Sequence, residues 1–72
     1  EEHGIFEISI PDAWIGKTVG ELDIRKEYNV NIMALRCNGV LDMNISSETP
    51  LGDDQTMLVL GNIKNIQKQF HI

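Results

Sequence analysis

Along this chain the apolar positions switch between a period of two and a helical period, and the switches mark its elements. Phe6, Ile8 and Ile10 alternate with Glu7 and Ser9, which predicts a half-buried strand that Pro11-Asp12 ends. Thr18 followed three residues later by Glu21 fits a capping box and predicts a helix start at Thr18. Gly20 and the position of Asp23 limit this helix to about one turn. Asp23 is placed to cap a second short helix running through Tyr28, its carboxylate accepting from exposed backbone N–H groups.

Residues 30–37 read as a strand with two mostly apolar faces, Ile32 and Ala34 on one side and Met33 and Leu35 on the other. Such a strand is central in its sheet or covered on one face by a second subunit. Asn38-Gly39 then predicts a hairpin, because both residues tolerate positive φ. Leu41, Met43 and Ile45 alternate with Asp42 and Asn44 as a third strand, followed by a polar loop over 46–55. A fourth strand is expected from Thr56 to Leu60, ended by Gly61. Asn62 should cap a last helix with Ile63, Ile66 and Phe70 on one face. The order β, short helices, β, β, β, α predicts a compact α+β fold with a mostly antiparallel sheet of about four strands. One domain should span residues 1–72, with no repeat or linker.

Size changes the picture more than composition does. A chain of 72 residues buries only roughly 60% of its unfolded surface, and small folds recover the shortfall with disulfides, metals or partner subunits. The single cysteine, Cys37, forms no internal disulfide, and His3 and His71 near opposite termini are not spaced as metal ligands. By elimination, a homodimer or larger homo-oligomer is expected. A net charge of −5 with scattered Lys and Arg argues against nucleic acid as a partner. No apolar run approaches the roughly 20 residues of a membrane span, so direct membrane insertion is not expected. A lone thiol fits a reducing cytoplasm. The opening Glu1-Glu2-His3-Gly4 reads as the ragged end of a longer chain.

Candidate chemistry is sparse. Gly16-Lys17-Thr18 resembles the end of a phosphate-binding loop, but Pro11 stands where that motif needs its first glycine. The N–H groups after Thr18 remain a candidate anion site through the helix dipole. Asp53-Asp54 is an acidic pair without further oxygen ligands spaced around it, which reads as a solvated turn. Cys37 has no His or Lys nearby in sequence to activate its thiol. With no Ser/His/Asp set, an enzyme is not expected. Trp14 fits core or interface packing, with a stacking platform as the lesser reading. Arg25 lies in a helix beside a strand start, and Asn31 lies among apolar strand residues. A buried amide needs partners, so Asn31 makes either a structural hydrogen bond or a ligand contact.

Several linked segments together carry a family resemblance. They are Gly16-Lys17-Thr18, Glu21-Leu22-Asp23-Ile24-Arg25, Val30-Asn31-Ile32-Met33-Ala34, Asn44-Ile45-Ser46 and Met57-Leu58-Val59-Leu60-Gly61. In this order they resemble the RCK-C, or TrkA-C, domain of Ktr- and Trk-type potassium uptake gating proteins from firmicutes. The resemblance implies a homodimeric regulatory module of a cytoplasmic gating subunit, held at the membrane through a potassium channel or transporter subunit. It also implies a ligand, cyclic di-AMP, at the dimer interface, and inhibition of potassium transport by it. Carried over by matching segment, the ligand-binding positions are Val19, Gly20, Asp23, Arg25, Asn31 and Ser47. Gly20 and Ser47 depart from the family pattern of an apolar side chain and a proline, which implies a weakened apolar wall. The alternative within the same family is a purely structural dimerisation module without a nucleotide. A small amino-acid-binding domain of ACT type has a similar size, but its order places two full helices between paired strands.

Overall fold

The computed structural model describes residues 2–72, and its elements follow the chain in the expected order. Strand β1 (His3–Ser9) leads through a 3-10 turn (Asp12–Trp14) to the short helices α1 (Val19–Leu22) and α2 (Ile24–Tyr28). Strands β2 (Asn31–Cys37), β3 (Val40–Asp42) and β4 (Gln55–Asn62) follow, and helix α3 (Ile63–Phe70) closes the fold. The four strands form one antiparallel sheet in the spatial order β1-β4-β2-β3. Of the opening segment read as a ragged end, Glu1 lies outside the described residues, while His3 and Gly4 already belong to β1.

The helices cover one face of this sheet. Met57 and Val59 of β4 and Ile66 of α3 are fully buried there, with Trp14, Ile24, Val30, Leu35 and Leu51 packed around them. Trp14 is core: its ring lies 4.9 Å from that of Tyr28 and 5.5 Å, edge-on, from that of Phe70. The other face is open. By register it carries Ile5, Glu7 and Ser9 of β1, Thr56, Leu58 and Leu60 of β4, and Ala34 and Arg36 of β2.

Local sequence chemistry set several boundaries as expected. Thr18 and Glu21 form a reciprocal capping box, with bonds of 2.8 and 3.2 Å. Asn38 and Gly39 both adopt positive φ in the β2–β3 hairpin. The Asn62 side chain accepts from the Asn65 N–H at 3.0 Å and caps α3.

Other expectations are corrected by non-local contacts. The pairing register shifts between Ile32 and Ala34, a bulge at Met33. Ile32 therefore shares the covered face with Leu35, opposite Val59 and Met57, while Ala34 turns to the open face opposite Leu58. The third strand stops at Asp42 because its carboxylate accepts from the Asn44 N–H at 2.9 Å, folding the chain away before Met43 and Ile45. The fourth strand does not end at Gly61 but runs to Asn62. There a Cβ on Gly61 would meet Val30 at 3.2 Å, so glycine marks a close approach rather than a strand end. Asp23 does not cap α2 with its side chain. Its backbone is left-handed (φ 50°), joining α1 to α2, and its carbonyl accepts from Lys26 and Glu27.

Candidate ligand-binding site

The segment from Gly16 to Gly20 lies along the loop that returns from β3, tied to it by four backbone bonds. Gly16 N–H donates to the Leu51 carbonyl at 3.0 Å, and Leu51 N–H to that of Lys17 at 2.9 Å. Val19 N–H donates to the Thr49 carbonyl at 3.0 Å, and Gly20 N–H to that of Ser47 at 2.7 Å. With Glu21 N–H held by the Thr18 hydroxyl, the first N–H groups of α1 are all engaged. The anion site expected at this helix start is therefore overturned: no donor is left to meet one.

The packing of Gly20 also revises the meaning of the two departures. A Cβ there would lie 2.8 Å from both the Cβ and the carbonyl oxygen of Ser47. Gly20 and Ser47 are thus each other's neighbours, and the glycine is what lets α1 seat on the 46–49 turn. That turn is itself held by Ser46 and Thr49, through a Ser46 N–H bond of 2.9 Å to the Thr49 hydroxyl.

Beside this seam, a recess of about 190 Å³ opens where β2 begins. It is lined by Val19, Ile24, Arg25, Val30, Asn31, Ile32 and Ile45. Arg25 Nε donates to Asn31 Oδ1 at 2.8 Å across it. This bond fixes the guanidinium plane and leaves the terminal Nη donors and the Asn31 amide N–H₂ for another group. Asn31 is exposed rather than buried, because β3 pairs only with residues 35–37 and leaves the start of β2 uncovered on that side.

Of the six candidate positions, Val19, Arg25 and Asn31 come together on this recess. Gly20 and Ser47 abut one another beside it, and Asp23 sits exposed at the α1–α2 junction outside its lining. The apolar members Ile24, Val30, Ile32 and Ile45 were missed in the sequence. As aliphatic residues in predicted core positions they carry no signal that separates a recess wall from a core. A larger hollow of about 560 Å³ lies elsewhere, between the end of β1 and the end of α3. It is lined by Glu7 and Asp12 and by no Lys or Arg, which disfavours an anionic occupant.

Cys37 ends β2 with its Sγ 3.5 Å from Asp54 Oδ2. The hydrogen bond to this carboxylate, burial and the carboxylate charge raise the thiol pKa, so it is the opposite of an activated nucleophile. Among the described residues, no helix is long and apolar enough to cross a membrane.

Residues 5–71 match the TrkA-C domain family, and the chain belongs to that family. It is 31% identical over 58 residues to the K(+)/H(+) antiporter subunit KhtT of Bacillus subtilis, covering 79% of this chain and 35% of that protein. The chain thus spans about a third of the length of that relative. Among solved structures, the RCK C domain of the potassium transport protein KtrA, in complex with cyclic diadenosine monophosphate, superposes with a TM-score of 0.83. The match is at 22% identity and covers 94% of this chain and 80% of that one. The RCK_C domain dimer of S. agalactiae BusR in complex with c-di-AMP gives 0.75 at 18% identity, over 93% and 95% of the two chains.

Proposed function

We propose that this TrkA-C domain is the regulatory module of a potassium-transport gating subunit, pairing with a second copy and binding cyclic di-AMP between them. The observation that carries the reading is the Arg25–Asn31 pair at the mouth of an apolar recess. A guanidinium held in plane by one bond offers its remaining fork to a phosphate. The Asn31 amide supplies a donor for base or phosphate, and Val19, Ile32 and Ile45 supply an apolar wall for an adenine. The recess, about 190 Å³, is below the roughly 300–1,000 Å³ of sites that enclose a small molecule. One chain therefore offers half a site. A two-fold ligand on a two-fold axis would meet the same residues from each copy. Two structural neighbours are described in complex with this ligand, which supports the choice of nucleotide. In the cell, such a module would act in the cytoplasm on a membrane transporter through the full-length protein.

Calorimetry with cyclic di-AMP, beside linear dinucleotide and AMP controls, tests the reading. Arg25→Ala and Asn31→Ala should each weaken binding by about 1–3 kcal/mol, or roughly ten- to a hundred-fold. Arg25→Lys should weaken it more than Lys26→Ala, since an ammonium lacks the planar fork. Binding should also fall as salt rises. The alternative is a purely structural dimerisation module, and its motivation is that the Arg25–Asn31 bond already gives each side chain a partner within the chain. No heat with any nucleotide from a folded, dimeric chain would select it.

A further inference from the structure

At the opposite edge of the sheet from this recess, strand β1 has a free side: among the described residues it pairs only with β4. The Ile63 N–H donates to the Glu2 carbonyl at 3.0 Å, one step beyond the His3–Asn62 pair. Antiparallel ladders alternate, so Gly4, Phe6 and Ile8 bond to β4, and the backbone groups of His3, Ile5, Glu7 and Ser9 face outward. The side chains of these four lie on the open face. The edge has no Lys, no Pro and no bulge over seven residues, its one carboxylate, Glu7, is paired with Arg36, and Ile5 is 56% exposed on it.

We propose that this edge is a second self-association surface, on which β1 pairs antiparallel with β1 of another copy and joins two sheets into one. The outward groups allow few two-fold registers, and their side chains choose among them. Centring on Glu7 sets two carboxylates opposite each other, which repels. Centring between Ile5 and Glu7 sets each isoleucine against a carboxylate. Centring on Ile5 sets Ile5 against the partner's Ile5 and His3 against the partner's Glu7, apolar on apolar and an imidazole donor on an acceptor. That register also brings Leu60, the cross-strand neighbour of Ile5, beside the new contact on both sides. The occupant is a second copy because the strand is complementary to itself in this one register. Two different two-fold contacts on one chain build alternating assemblies rather than a closed pair.

This inference does not rest on the nucleotide reading, so it is tested without ligand. In a Cys37→Ser background, Ile5→Cys should oxidise to a disulfide-linked dimer about tenfold faster than Glu7→Cys, because only residue 5 meets its own copy at a Cα separation that a disulfide spans. In the otherwise native chain, Ile5→Lys should reduce assemblies larger than a dimer to a dimer at most in sedimentation equilibrium, while circular dichroism stays that of the folded domain. Three results would overturn the proposal. One is a chain that stays monomeric at hundreds of micromolar with no cross-link. Another is a fastest cross-link at Glu7→Cys. The third is a set of assemblies larger than a dimer that survives Ile5→Lys, which would place the second contact elsewhere.

Discussion

On the covered face of the sheet Met57, Val59 and Ile66 have no exposure, whereas across the same strands Ile5 is 56% exposed and Leu58 and Leu60 are only partly shielded. The strands are shared, so backbone pairing is common to both faces and the difference is in what lies over them. On the covered face α3, the 3-10 turn and α2 bring Ile66, Trp14 and Ile24 onto the sheet. On the open face the neighbours are side chains of the sheet itself: Arg36 reaches Glu7 at 2.8 Å, and Thr56 donates to the same carboxylate at 2.6 Å. The contrast assigns stability to one face and leaves the other, with the β1 edge and the start of β2, free for association.

The largest expected effect sharpens that contrast. Ile66→Ala should cost about 2–5 kcal/mol in urea unfolding, since the neighbours of a fully buried side chain cannot collapse into the space it leaves. Leu60→Ala on the open face should cost about 1 kcal/mol, the value of a half-shielded side chain. Equal losses would break the contrast and mean that the open face is covered in solution. A middle-sized effect belongs to the seam between α1 and the returning loop. Gly20→Ala forces a Cβ into Ser47 and should cost about 1–3 kcal/mol despite the better helix propensity of alanine. Amide exchange at Gly20 should accelerate, because its N–H bond to the Ser47 carbonyl is the contact that is pushed apart. If the variant is as stable as the parent and gains nucleotide affinity, Gly20 is a missing wall after all.

How much of this was legible in the sequence depends on the range of the contact. The β1 alternation, the Thr18–Glu21 box, the Asn38-Gly39 hairpin and the Asn62 cap are short-range chemistry, and each lies where it was expected. The bulge at Met33 is set by β4, which is more than twenty residues away, so the two-fold pattern of residues 30–37 misassigned Ala34. Gly61 read as a strand end because its reason, the nearness of Val30, belongs to another element. Asp23 read as a cap because its left-handed backbone is invisible to a residue-type rule. In the candidate site, Arg25 and Asn31 stood out as polar residues in telling places. Their apolar surroundings did not, since Ile24, Val30, Ile32 and Ile45 carry the same letters as any core.

The smallest effect probes the polar cluster that stands on the open face in place of packing. The Thr56 hydroxyl bond and then the Arg36 guanidinium hold the Glu7 carboxyl below the usual glutamate range. Depression in the folded state means that this carboxylate contributes stability above the ordinary glutamate pKa, and that the contribution is lost as pH falls through the lower folded value. The group is exposed, so the expected signature is a titration shift rather than a measurable change in unfolding midpoint. Carbon-13 NMR of the Glu7 side chain should show its pKa rising toward the ordinary value in Thr56→Val and, separately, in Arg36→Met. The two partners act differently, and salt separates them. The hydroxyl bond is short-range and indifferent to ionic strength, whereas part of the Arg36 effect is charge acting across a half-exposed gap. Raising salt to about 0.5 M should therefore lift the Glu7 pKa in the parent and in Thr56→Val, and leave it nearly unmoved in Arg36→Met. A Glu7 pKa that neither salt nor Arg36→Met moves from the parent value would mean that Arg36 does not hold the carboxylate in solution. The open face would then carry less order than its hydrogen bonds describe.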